Sequence, residues 1–136
     1  MNKYIALAIV LPFLLFFVLQ YSLNIKITHI KDNASDIVTA ACEQAKLEGY
    51  FTPEIIDKMK EDMERIGIDT SRVIVDVTTT PKYRVDEYDS REMIEYKIGI
   101  PIDKMFAASS FFGLSDDDNK TIKYFYGKLA SERVRN

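Results

Sequence analysis

The feature that most constrains this chain is a long uncharged segment near its N-terminus. No charged side chain occurs between Lys3 and Lys26, so residues 4–25 form an uncharged run of 22 positions. As an α-helix the run is about 33 Å long, enough for the ~30 Å hydrocarbon core of a bilayer. Its polar residues, Gln20 among them, fall near its end, where lipid headgroups can solvate them. The run predicts a transmembrane anchor helix at residues 1–25.

A secretory signal peptide is the alternative to an anchor. It requires a cleavage site of small residues soon after an apolar core of ~7–15 residues. The stretch from Gln20 to Lys26 contains no such pattern, and the apolar core is longer. Pro12 lies inside the run and removes one backbone donor, which predicts a bend of a kind that membrane helices tolerate. We expect an uncleaved, single-pass anchor in the cell membrane.

The remainder of the chain is acidic. All 21 acidic residues and 15 of the 18 basic residues lie at or beyond Asp32, which gives this part a net charge of −6. This balance argues against a nucleic-acid partner. The single Cys42 excludes an internal disulfide and a multi-cysteine zinc site. No carboxylate pair has the setting of a catalytic site, so the sequence predicts no enzyme, no cofactor, no metal site and no small-molecule substrate.

Beyond the apolar run the pattern predicts that the helix continues as an amphipathic segment over residues 26–48. Apolar residues recur there at steps of three and four, which places them on one face. They are Ile30, Ala34, Ile37, Ala41 and Ala45. The alanines are small enough for a sheet or a second helix to approach closely, and Gly49 is a suitable terminator. Two helices broken near Asn24 are the alternative to one long helix.

A second helix is predicted at residues 53–66. Thr52 can cap it, Pro53 suits its first position, and Gly67 can end it. Its apolar stripe is expected to consist of Ile56, Met59, Met63 and Ile66. The methionines are interpreted as core residues.

The hydrophobic period then changes to two, which indicates strands. They are predicted at about 72–80, 82–88, 92–102 and 121–129. The third strand should be central, because Ile94, Tyr96, Ile98, Ile100 and Ile102 share one of its faces. Short turns between the strands favour an antiparallel sheet of about four strands, so residues 26–136 are predicted to form an α+β domain.

Three loops are candidate sites. The apolar stretch Met105–Leu114 is predicted to be either a lid over the core or an exposed contact patch. Asp116–Asn119 and Asp86–Asp89 supply oxygen ligands but lack the Gly and distant Glu of an EF-hand loop. We expect both acidic stretches to be solvated turns.

Two stretches resemble a known family. The first is "IALAIVLPFLLFFVLQYSL", with its Leu-Pro pair. The second is "DIVTAACEQAKLEGYFTPEIIDKMKEDMERIGI", with an Ala-rich helix, a Gly break and a second helix ending in Gly. With the antiparallel sheet that follows, they resemble type IV pilin-like proteins and, within that group, TadE-like pseudopilins of tight-adherence pilus systems. The resemblance implies a pilin-like fold and a structural single-pass subunit of a pilus, secretion or conjugation apparatus at the cell surface.

Orientation is indicated in two opposite ways. Lys26, Lys31 and Lys46 follow the apolar run, whereas Lys3 and the terminal amine precede it, and by the positive-inside rule this favours a cytoplasmic domain. The resemblance implies an extracytoplasmic domain, which is our expectation.

The expected partners are the lipid bilayer and other single-pass or pilin-like subunits, including copies of this chain. The residues expected to mediate helix packing or assembly are Pro12, Leu15, Phe16, Ala34, Ile37, Ala41 and Ala45. A membrane-tethered binding or sensing module acting alone is the alternative function.

Overall fold

The computed structural model describes residues 2–85 and 92–135. Two helices precede a sheet of three strands. The helices are α1 (Asn2–Glu48) and α2 (Pro53–Arg65), and the strands are β1 (Ile74–Val77), β2 (Met93–Asp103) and β3 (Lys120–Ala130). Short 3₁₀ turns lie at Thr70–Arg72 and Ser109–Phe112. The predicted α+β class is therefore confirmed, with three strands in the described residues instead of about four.

The chain divides into two compact units. The helix–loop unit comprises the residues up to Ile30 together with Ile102–Thr121, and the α+β unit comprises Lys31–Pro101 together with the residues from Ile122 onward. α1 contributes to both, so one long helix is confirmed and the break near Asn24 is not found. The predicted domain boundary after residue 25 stays a prediction.

Local signals define α2. The Thr52 hydroxyl accepts a hydrogen bond from the Ile55 amide at 3.3 Å, and Pro53 occupies the first position. Gly67 has a φ of +87°, and its amide bonds the Glu64 carbonyl at 3.0 Å. The helix ends one residue earlier than predicted. Ile55, Met59 and Met63 are its buried residues, so Ile55 is buried where the sequence pattern predicted Ile56.

The sheet has the order β1–β2–β3 and is antiparallel, so the predicted central position of the Ile-rich strand is confirmed. In the β1–β2 register Ile74 lies opposite Gly99 and Val77 lies opposite Tyr96. In the α+β unit the core joins the inner face of β2 to the helices. Its largest fully buried side chains are Phe51, Met59, Met63, Ile94, Ile98 and Ile100.

The strand predicted at 82–88 is not formed by its described residues, 82–85; positions 86–88 lie outside the described residues. The reason is a different set of backbone partners. The Lys82 amide donates to the Gly49 carbonyl at 2.9 Å, and the Arg84 amide donates to the Arg133 carbonyl at 2.7 Å. These bonds join the segment to the end of α1 and to the C-terminal segment instead of to a neighbouring strand.

Candidate membrane-contact and helix-packing site

The N-terminal part of α1 exposes nearly all of its large apolar side chains. Among the described residues α1 is the one helix that is long and apolar enough to cross a membrane, a test that a signal sequence also passes. All residues from Tyr4 to Leu15 are exposed, as are Phe17, Val18, Leu19 and Tyr21, whereas Phe16 and Leu23 are half-buried. An exposed apolar surface of this length is unfavourable in water and favourable in hydrocarbon. The structure is therefore compatible with a single membrane crossing.

The three predicted anchor residues lie in different surroundings. Pro12 lies inside the helix, and Leu15 is 56% exposed. Phe16 is half-buried, and its ring lies edge-on to that of Phe112 with the centroids 5.3 Å apart. Within the helix–loop unit Phe16 thus packs against another residue of the chain, whereas Leu15 is available for contacts outside it.

Two amide side chains hold the apolar loop that follows β2. Gln20 donates through Nε2 to the Met105 carbonyl at 3.0 Å and accepts through Oε1 from the Ala107 amide at 2.8 Å. Asn119 accepts through Oδ1 from the Phe106 amide at 2.7 Å and donates through Nδ2 to the Phe106 carbonyl at 3.1 Å. We call Met105–Leu114 the clamped loop. Sequence reasoning assigned Gln20 to the headgroups and Asn119 to a turn, and so missed both roles.

In the α+β unit the Ala-rich stripe is buried, as helix packing requires. Ala34 and Ala45 are completely buried, and Ala41 is nearly so. Ile37 and Ala41 line a small hollow together with Ile55 and Met59 of α2, so this side of α1 faces the second helix. Small side chains at these positions allow the two helices to approach closely.

A neighbouring side of α1 faces the sheet. Cys42 is buried beside the Tyr96 side chain of β2. Burial raises the pKa of the Cys42 thiol to about 11, with a smaller contribution from the Glu43 carboxylate and opposing effects from Tyr96 and Lys46. The thiolate, which is the reactive form, is therefore disfavoured. Cys42 therefore packs as a small apolar residue.

The C-terminal end of α1 is closed by distant backbone and side-chain groups. The last carbonyls of a helix have no partner within it. Here the Lys46 carbonyl accepts from the Glu132 amide at 2.9 Å, and the Glu48 carbonyl accepts from the Arg133 guanidinium at 3.0 Å. Gly49 follows with a φ of +87°, as expected of a helix terminator.

In the acidic stretch Asp116–Asn119, Asp117 and Asp118 pair with neighbouring residues, whereas Asn119 is buried and binds Phe106. Asp118 accepts from the Ser115 hydroxyl at 2.6 Å and the Ser115 amide at 3.2 Å, and these bonds lower the pKa of its carboxyl. Lys120 lies 3.1 Å from Asp117. In residues 2–85 and 92–135 no group of three or more His, Cys, Asp or Glu side chains is placed to hold a metal ion. Asp86–Asp89 lies outside the described residues.

No family model, curated protein or solved structure matches this chain.

Proposed function

We propose that the chain is a structural, single-pass, pilin-like subunit of a membrane assembly such as a pilus, secretion or conjugation apparatus. One observation carries the proposal. A single helix, α1, contains near its start 22 uncharged positions whose large apolar side chains are mostly exposed, and it ends in an Ala-lined segment that is buried. The first part suits lipid and neighbouring helices, and the second part gives the α+β unit its helical support.

The proposed partners are other single-pass subunits, including copies of this chain. Leu15 is exposed, as are Leu11, Leu14, Val18 and Leu19. Helices in a bilayer associate through side-chain packing, because lipid tails are as apolar as leucine and provide no hydrophobic driving force. A subunit role therefore requires partner helices to contact one side of the anchor in preference to the others.

Cysteine crosslinking in native membranes tests this preference. Cys42 is buried with a raised pKa, so single cysteines introduced at Phe13, Leu14, Leu15 and Phe17, which are exposed on different sides of the helix, can be oxidised without competition from it. The proposal expects crosslinks to a partner or a second copy at some positions and not at others, with the period of a helix. Leu47→Cys, exposed in the charged part of α1, is the matched control.

Two outcomes would contradict the subunit role. If no position in the anchor crosslinks at normal membrane levels, the helix only tethers the chain, and a binding or sensing module acting alone becomes the better proposal. If all four positions crosslink equally, the contacts are random collisions. The crosslinked product identifies the partner by mass.

The α+β unit is proposed to lie outside the cytoplasm. In intact cells Leu47→Cys should then react with a membrane-impermeant maleimide, because this side chain is 66% exposed. Labelling that requires permeabilised cells would place the unit in the cytoplasm, as the positive-inside count favours. The unmodified chain, whose thiol is buried, is the control.

A further inference from the structure

We infer that the clamped loop, Met105–Leu114, is a second membrane-contacting element that enters the interfacial layer of the bilayer beside α1. The inference rests on the proposed function in one respect, namely that the apolar part of α1 lies in a membrane. It adds that the chain contacts lipid at two points, through a helix and through a loop.

The composition of the loop fits this placement. Residues 105–115 carry no charge, and charges resume immediately on both sides at Lys104 and Asp116. Three phenylalanines of the loop are exposed. They are Phe106, Phe111 and Phe112, and Phe111 is 85% exposed. An uncharged tip with a charged base can immerse its apolar side chains while its charges stay in water.

The position of the loop along the helix sets its depth. Its backbone is bonded to Gln20, six residues before Lys26, which is about 9 Å along a helix. Elements that lie in a membrane interface are buried by about 5–10 Å at the boundary between headgroups and acyl chains. The Phe112 ring reaches further, to Phe16, one turn deeper in the apolar run. The loop and the anchor therefore present one continuous apolar surface.

The amide clamps remove the main obstacle to placing an irregular loop there. Backbone N–H and C=O groups without partners are costly in an apolar medium, so irregular chain is tolerated only where those groups are satisfied. Gln20 satisfies the Met105 carbonyl and the Ala107 amide, and Asn119 satisfies both backbone groups of Phe106. An amide side chain is suited to this because it donates and accepts.

Lipid is the occupant that these observations favour. The exposed rings adjoin a helix surface that is itself proposed to face lipid, and the Phe16–Phe112 contact makes the two surfaces continuous. A second protein or a second copy covering the loop is the outcome that the experiment must separate from lipid.

Tryptophan fluorescence of the full chain provides the test, because the sequence contains no Trp. Three single-Trp variants are reconstituted in zwitterionic phosphatidylcholine vesicles, with and without brominated acyl chains. Phe111→Trp reports on the loop and Phe17→Trp on the anchor. Val134→Trp reports on water, because that side chain is 67% exposed between Arg133 and Arg135. Phe106→Trp is a second loop reporter in case Phe111→Trp disturbs the fold.

The inference expects both loop reporters to be quenched by bromines near the headgroup end of the chains and to be shielded from iodide. Phe17→Trp should be quenched by deeper bromines, and Val134→Trp should be quenched by iodide only. If Phe17→Trp is quenched by bromolipid and the loop reporters are not, the inference is wrong while the proposed membrane anchor stands. Loss of iodide access without bromolipid quenching would mean that protein covers the loop, which also overturns it. If Phe17→Trp itself escapes bromolipid, the membrane anchor is wrong and the inference falls with it.

Discussion

Replacement of Gly49 by Ala should destabilise the α+β unit far more than the same change at Gly67. Both glycines terminate a helix with a φ of +87°, so in both an added Cβ meets the same left-handed strain, about 1–2 kcal/mol. Around Gly67 no atom lies within 4 Å of the new Cβ. At Gly49 the new Cβ would collide with the Lys82 carbonyl oxygen and would lie 2.9 Å from Cδ of Arg133.

The additional cost at Gly49 follows from what must move. The Lys82 carbonyl is part of the backbone, and the amide of the same residue donates to the Gly49 carbonyl at 2.9 Å. Moving this backbone segment weakens the hydrogen bond, which contributes about 0.5–1.5 kcal/mol of stability. The overpacking itself typically costs about 1–3 kcal/mol. We therefore expect Gly49→Ala to lower the free energy of unfolding by about 2–4 kcal/mol more than Gly67→Ala. This difference is a large share of the ~5–15 kcal/mol of a typical domain.

Amide hydrogen exchange of the full chain in detergent micelles measures both variants. The slow amides of β2, such as those of Ile98 and Ile100, report the free energy of opening the buried core. Equal losses in the two variants would refute the reasoning, since they would mean that neither Lys82 nor Arg133 lies against Gly49. A small loss at Gly49 with a large one at Gly67 would refute it more strongly.

Two further predictions concern side chains with defined partners. The folded pKa of Cys42 lies above its unfolded value of about 9, so stability should be unchanged below pH 9 and should decrease as the pH rises toward 11. In Cys42→Ala this decrease of stability with pH should be smaller, as measured by unfolding at several pH values. At pH 8 a maleimide should modify the wild-type thiol only after denaturation. Gln20→Leu should accelerate hydrogen exchange of the Ala107 amide, and Asn119→Ala should accelerate that of Phe106. If each variant affects both amides equally, the loop opens as one body and the two clamps are not separate.

The elements that could be predicted from the sequence are those with local determinants. α2 is the clearest case, because Thr52, Pro53 and Gly67 act within a few residues of the helix ends. The helix buries Ile55 where the pattern predicted Ile56, because an apolar stripe covers more than 100° of a helix and includes both positions. Which of the two points inward depends on the neighbour, which the local pattern does not contain.

The strand predicted at 82–88 shows the opposite situation. Alternating residues favoured a strand, but a strand also needs a neighbour with unpaired backbone groups. In the fold the described part of this segment lies between Gly49 and the C-terminal residues, which are bonded to Lys82 and Arg84. These partners are separated from it by more than 30 positions in the sequence. Nothing within the segment itself distinguishes such pairing from a sheet.

In β3 the alternation of the residues is correct, but it does not determine which face of the strand is buried. The sequence groups Ile122, Tyr124 and Tyr126 on one face, and the structure does the same but exposes that face. Ile122 and Tyr124 lie where a side chain at Gly99 would project, so the absence of a side chain at Gly99 makes room for them on the outer surface. Gly99, which allows this arrangement, lies on the neighbouring strand β2. The periodicity of β3 therefore gives no information about it.

Gln20 shows how a polar residue near the end of an apolar run can be interpreted from its position. Headgroup solvation explains a polar side chain near a helix end, but any polar residue would serve that purpose equally. An amide is the side chain that can donate to one backbone group and accept from another, and here it does so within three residues of one loop. The loop in question is uncharged for 11 positions and is bracketed by charges. Such a group favours an apolar loop beside an apolar helix, because backbone groups without a partner are costly where water is scarce. An amide late in an apolar helix and an uncharged loop elsewhere in the chain therefore together indicate a contact that neither feature indicates alone.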